Sequence, residues 1–345
     1  MIPTPDNTIV TGAGGWLGTG LVSSFTGDGP YGRPGHIRAL VRDQQDADRL
    51  SSMSNNVEPV IGDLTLRADV ERLFEGLSGT VDAIHAAGVI HPTKFDELDA
   101  VNHLATATLL EVASEANIRR FVHVSSNSPF GTNASRSDTF RNDEPYHPYY
   151  GYGESKMKAE LRVIEAAEKG LNAVMVRPPW FYGPHQPARQ TQFFTMVRTG
   201  RFPVLGDGGQ RRSMVYIDNL VQGAVRAELT PTDPGLGWWI ADEHPYTVKE
   251  IVETVGAVMR EEGFDVKPNR VRLPDFVGSI AERVDALLQS SGRYNQQFHV
   301  LGEMNKTIAV DISAARRDLG YEPEIALAEG MRRSVRWCID QGIQL

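Results

Sequence analysis

Gly12, Gly15 and Gly18, in the run Thr11-Gly12-Ala13-Gly14-Gly15-Trp16-Leu17-Gly18, directly follow a short apolar segment and open a helical pattern. That context constrains the chain more than any other stretch, because it marks the first turn of a dinucleotide-binding βα unit. Without Cβ atoms the glycines permit a tight turn, close approach of backbone N–H groups to a pyrophosphate, and close packing of helix on strand. Gly12, Gly15, Trp16, Leu17 and Gly18 are therefore candidate cofactor contacts, with the helix N-terminus facing the anion. Taken alone, the motif also fits a glycine-rich turn in an ordinary α/β protein.

The sequence around the motif follows the same plan. Apolar runs at 7–11, 36–41, 57–61, 81–86, 120–125 and 172–177 alternate with helical patterns, among them a helix at 16–25 and a long amphipathic one within 95–117. Their continuous Val, Ile and Ala content predicts parallel strands buried on both faces, hence a Rossmann-type doubly wound α/β sheet. A Gly/Pro-rich insertion at 27–35 lengthens the first crossover as a surface loop. After Pro178 the pattern loosens: 180–192 reads as loop, and later helices are expected near 193–199, 219–228, 248–261, 277–288 and from Leu327. The predicted division is a Rossmann domain at 1–178 with parts of 213–245, and a smaller α/β substrate region at 179–212 and 246–345.

Composition narrows the functional classes. The chain has 345 residues, 41% hydrophobic and 23% charged, with a net charge of −9. Scattered basic residues on an acidic chain argue against nucleic acid, whose phosphates need a basic footprint. Cys338 is the single cysteine, which fits a reducing, cytoplasmic setting. No run reaches the roughly 18 apolar residues a membrane span needs. Among His85, His91, His123 and His147, none has a ligand-like spacing, so no metal is expected.

The chemistry is expected at Tyr152 and Lys156. A spacing of four on a helix sets the phenol and the ammonium one turn apart on one face. An ammonium about 4 Å away, at an effective dielectric of ~20, would be worth roughly 4 kcal/mol, or about three pK units off the phenol. Tyr149 and Tyr150 lie close by, but Tyr152 is the one with Lys at i+4. The strand at 120–125 runs into Ser125, Ser126 and Ser128, which places hydroxyls at the C-terminal edge of the sheet, where such folds bind ligands. At the end of the second strand, Val41 stands where an acid would bind a ribose hydroxyl and Arg42 follows it. That order favours NADP over NAD, with Asp43 keeping the question open.

These residues, with Gly62-Asp63-Leu64, His85-Ala86-Ala87-Gly88, Asn102, Arg177-Pro178, Tyr182-Gly183-Pro184 and Val215-Tyr216-Ile217-Asp218-Asn219, resemble the extended short-chain dehydrogenase/reductase family. The resemblance covers nearly the whole chain. It implies that Asp63 and Leu64 contact adenine, that Ala86, Ala87 and Gly88 lie along the cofactor, and that Asn102 braces the site. Pro178 would pack near the nicotinamide. Ser126 would be the catalytic hydroxyl, Ser128 a second one that meets substrate, Tyr152 the acid/base and Lys156 its partner. Arg212 falls where sugar-nucleotide enzymes hold a phosphate, whereas 271–288 is similar to the branch that handles steroids and lipids. The substrate is therefore expected to be a small molecule, either a sugar nucleotide or a steroid- or lipid-like alcohol. The resemblance further implies a homodimer and hydride transfer at a secondary alcohol or ketone. A 4-epimerase that keeps its cofactor bound is the close alternative; a noncatalytic NADP sensor is a more distant one.

Overall fold

The computed structural model describes residues 2–27, 29–293 and 295–345. Strands β1 (Asn7–Thr11), β2 (His36–Val41), β3 (Val57–Ile61), β4 (Val81–His85), β5 (Arg120–Val124) and β6 (Ala173–Arg177) lie side by side in the order 3-2-1-4-5-6. Beyond β6 come β7 (Trp180–Tyr182), β8 (Val204–Leu205), β9 (Arg211–Arg212), β10 (Met214–Tyr216) and β11 (Gly237–Trp239); of these, β11 joins the sheet beside β6. Every pairing in the seven-stranded sheet is parallel. This is the doubly wound arrangement whose ligand crevice opens at the C-terminal strand ends.

Both faces of the sheet are covered, which explains why its strands read as unbroken apolar runs. Val10, Ile37, Ile84, Val122 and Val174 pack on one side with Leu17 and Leu21 of α1 (Trp16–Phe25). Neighbouring residues Ile9, Leu40, Ala83, Phe121 and Ala173 point the other way. α2 (Gln44–Ser51) packs with α1 through Ala47 and Leu50, whereas α3 (Arg67–Arg72), α5 (Ala105–Glu115) and α6 (Tyr150–Glu168) cover the other side with Val70, Leu109, Leu110 and Val163; the short α4 (Glu97–Asp99) precedes α5. The segment expected as one long helix within 95–117 is interrupted by a π-helical stretch at Ala100–Leu104. That local widening is where Asn102 turns its side chain toward the site.

The region expected to be loop at 180–192 instead contains β7 and the start of α7 (Ala188–Arg198). β7 pairs with β10, leading into α8 (Ile217–Leu229). β12 (Tyr246–Thr247) pairs with β9, and its Thr247 caps α9 (Val248–Glu261) through a reciprocal Thr247–Glu250 box. β13 (Arg272–Leu273) pairs with β8 before α10 (Asp275–Ser290), α11 (Gln296–Glu303), α12 (Ser313–Leu319) and α13 (Leu327–Asp340). The 27–35 insertion is pinned rather than free: Arg33 is buried in an ion pair with Glu228 of α8, over the ring of Phe25.

Candidate active site

The glycine turn is built for close approach. Gly12 has φ +67°, and a Cβ there would lie 2.7 Å from the Ala87 Cα and N. A Cβ on Gly18 would collide with the Gly12 carbonyl. Gly15 is the N-cap of α1 and offers no side chain to its amides, and the first turn holds no acid. An uncapped helix start of this kind leaves N–H donors for an anionic group. The Trp16 indole N–H donates to the Pro184 carbonyl at 2.6 Å and its ring packs on Phe181 with centroids 4.6 Å apart, while Leu17 is buried. Trp16 thus holds the turn against β7. A cleft of about 200 Å³ opens beside Gly14, Gly15 and Trp16, bounded by Arg49, His185 and Trp337.

Beyond β2, Arg42 is exposed and, among the described residues, makes no hydrogen bond or ion pair. Asp43 is committed elsewhere: its carboxylate caps α2 by accepting from the Asp46 N–H at 2.9 Å. After β3, the Asp63 carboxylate accepts from the Thr65 N–H and hydroxyl, both at 2.8 Å, and Leu64 is buried beneath it. Ala86 and Ala87 run along the glycine turn, their N–H groups donating to the Thr11 carbonyl and hydroxyl at 3.3 and 3.4 Å. Gly88 lies against the Asn102 carboxamide.

Asn102 ties this loop to α6. It exchanges hydrogen bonds with the Val89 backbone at 2.7 and 2.8 Å and donates to the Ser155 hydroxyl at 3.0 Å. Ser155 in turn donates to the Tyr152 carbonyl at 2.8 Å. The phenol of Tyr152 lies near enough to Ser126 for that hydroxyl to favour its ionised form. The Ser126 hydroxyl is 3.2 Å from that of Ser128. Two hydroxyls and a phenol therefore meet at the C-terminal end of β5, and buried Pro178 follows the neighbouring strand β6.

Lys156 is arranged differently from the sequence expectation. Its ammonium donates to the Val124 carbonyl at 2.8 Å and lies 3.2 Å from His123 Nε2, so it is turned into the sheet rather than toward the phenol. Burial pushes the Lys156 ammonium down to about 8, partly opposed by Glu160. Burial likewise pushes the Tyr152 phenol up to about 12; Ser126 and Arg189 pull it down and Glu303 raises it. The expected lowering of the phenol by its lysine is therefore corrected: in the chain alone, desolvation prevails because the charge that would offset it is directed at Val124 and His123.

Behind Lys156, one turn further along α6, Glu160 is fully buried and receives the Arg177 guanidinium at 2.8 Å and the Tyr146 hydroxyl at 2.7 Å. Arg177 also lies over the ring of Phe130, 4.7 Å from its centroid. Arg212, in β9, donates to the main-chain carbonyl of Glu303, the last residue of α11. Arg189, in the first turn of α7, and Glu303 are both near enough to Tyr152 to bias its phenol. Sequence reading missed these two. Nothing local marks them, since they reach the site through the path of the C-terminal segments.

The sequence profile of the NAD dependent epimerase/dehydratase family matches residues 8–234. The chain belongs to this family. It is an enzyme of the extended short-chain dehydrogenase/reductase group, an NAD-dependent oxidoreductase or epimerase. An uncharacterized protein of Sinorhizobium fredii, y4nL, is 46% identical over 97% of this chain and 95% of its own length. A 4-hydroxy-2-methyl-3-oxo-4-farnesyl-3,4-dihydroquinoline-1-oxide ketoreductase of Stigmatella aurantiaca is 28% identical over 94% of each. The crystal structure of UDP-glucuronic acid 4-epimerase from Bacillus cereus with NAD superposes with a TM-score of 0.75 at 20% identity, covering 98% of this chain and 100% of that one. At that identity the match speaks for the fold. Within the epimerase/dehydratase fold, the uncapped start of α1, the close-packed Gly12 and the loop at 86–88 suit a nicotinamide dinucleotide. Among the described residues, no helix is long and apolar enough to cross a membrane.

Proposed function

We propose that this chain reduces a ketone, or in reverse oxidises a secondary alcohol, with Tyr152 as the proton-transferring group and Ser126 as the hydroxyl that holds the substrate oxygen. The observation that carries this reading is the approach of the Tyr152 phenol to the paired Ser126 and Ser128 hydroxyls at the C-terminal edge of the sheet, one helical turn from Lys156. A bound nicotinamide would supply or accept the hydride. Since burial holds the phenol well above neutrality, Tyr152 keeps its proton at physiological pH and is set to donate it to a carbonyl oxygen. Lys156 is charged below about pH 8 and loses its proton above it, so its support is available on the neutral side.

NADP is the proposed preference. Arg42 stands exposed after β2 with no partner among the described residues, and Asp43 is occupied as a helix cap, so a cation rather than an acid is available where the adenosine ribose would lie. Replacing Arg42 with Ala should weaken NADPH binding roughly tenfold, as expected for one lost charge-assisted contact, with NADH little changed. Fluorescence titration with both cofactors measures this; equal weakening of the two would remove Arg42 from its role.

A 4-epimerase is the second reading, favoured by the two cations on the substrate side, Arg189 and Arg212. It makes a separable prediction: such an enzyme turns over without added nicotinamide, whereas a reductase stops. A sugar nucleotide and a steroid- or lipid-like ketone are the proposed substrate classes. We further propose the division into a Rossmann domain at 1–178 with parts of 213–245 and a substrate region formed by 179–212 and 246–345. A cytoplasmic location fits the lone, buried Cys338. Homodimerisation through α5 and α6 fits the exposed Leu104 and Leu161 on that surface.

A further inference from the structure

The buried environment of Lys156 holds an unusual partner. Among the described residues its ammonium has no carboxylate within hydrogen-bonding distance; the acceptors it reaches are the Val124 carbonyl at 2.8 Å and His123 Nε2 at 3.2 Å. Both rings beneath it, His123 and His85, are fully buried, with centroids 5.2 Å apart. An ammonium can only donate, so Nε2 of His123 must be the bare nitrogen and the proton sits on Nδ1. That Nδ1 is buried and has no partner among the described residues. A buried N–H without an acceptor is costly and rare. The fold tolerates it at the residue that touches Lys156.

His85 shows the alternative. The Thr106 hydroxyl donates to the Asn102 carbonyl, so it accepts from His85 Nε2–H at 2.8 Å, and His85 Nδ1 accepts from the Thr11 hydroxyl at 2.6 Å. His85 is thus satisfied on both nitrogens and structural. His123 is satisfied on one, and that one faces the lysine.

We propose that His123 is a positioning residue for Lys156: a neutral imidazole, protonated on Nδ1, whose Nε2 accepts from the ammonium, keeps it charged and fixes its direction. The other groups facing Lys156 are Tyr152 one turn before it and Glu160 one turn after it on α6, and His85 on β4 behind His123. Glu160 is already engaged by Arg177 and Tyr146. His123 is therefore the side chain free to serve the lysine directly. The margin is narrow, because burial already brings Lys156 down to about 8 and holds His123 well below its ordinary value, in the neutral form. The consequence for catalysis rests on the proposed role of Lys156 beside Tyr152; the acceptor role itself does not.

The test uses the intact protein. Among the seven lysines of the chain, the 13Cε resonance of Lys156 is the one lost in Lys156→Met, and its pH titration reports the ammonium directly. His123→Phe keeps a ring of similar size but removes the acceptor, and should move the titration down by about one pH unit, the tenfold worth of a hydrogen bond to a charged group. His123→Gln, whose carbonyl oxygen can accept, should restore most of the shift. Long-range 1H–15N spectra of the unsubstituted protein should show His123 protonated on Nδ1 below pH 8. An Nε2–H tautomer, an unchanged titration in His123→Phe, or an equal shift in both variants would overturn the proposal. None of these readouts depends on turnover, so an inactive protein or a dispensable Tyr152 would count against the proposed function and leave this result standing.

Discussion

Tyr152→Phe should reduce turnover by about 10³-fold, within the range expected when a positioned proton-transfer group is removed. The substitution deletes one hydroxyl from a largely buried ring, so the fold, the glycine turn and the Asn102–Ser155 link are untouched, and cofactor affinity should stay within twofold. Loss of rate with binding retained is the signature of a group that acts on the reacting oxygen. Steady-state kinetics with a ketone substrate, together with cofactor titration, checks it. A variant that keeps its rate would take Tyr152 out of the mechanism and with it the proposed reaction. Ser126→Ala belongs to the same constellation, so its effect should not add in full to that of Tyr152→Phe.

Glu160→Ala is expected to be the most destabilising single change near the site. Glu160 is fully buried and satisfies both the Arg177 guanidinium and the Tyr146 hydroxyl. Removing it strands a buried guanidinium, and breaking such a pair from one side costs about 3–5 kcal/mol. Urea unfolding measures this; a loss below about 1 kcal/mol would mean that water or Tyr146 compensates. Activity near neutrality should also fall, because the Glu160 charge adds to the lysine's affinity for its proton. Glu160→Gln keeps a hydrogen-bond acceptor but not the charge, and should fall between the two.

The central sheet was legible because its signals are local. Each run from β1 to β6 is a short apolar block between polar turns, and the glycine turn announces α1. The helices α2 and α3 were not, since Gln44–Ser51 and Arg67–Arg72 are short, polar segments with little apolar periodicity. β7 was read as loop because a three-residue strand paired only with β10 carries no signal of its own. At the site, Tyr152 and Lys156 stand out by their spacing, and the choice among the serines rests on the family resemblance. What spacing could not provide was direction: it brought the lysine and the phenol to one face of α6, while packing against β5 turned the ammonium toward Val124 and His123. Arg189 and Glu303 were invisible for a related reason, as their approach to Tyr152 is decided by chain paths that no short motif encodes.

The Asn102 bridge has a wider consequence. By joining the backbone behind Gly88 to the turn that carries Tyr152, it links the proposed nucleotide cleft to the proposed proton-transfer group. Arg189, Arg212 and Glu303 come from α7, β9 and α11, which lie outside that bridge. New substrate preferences can therefore be acquired by redrawing those elements, leaving the reactive machinery in register.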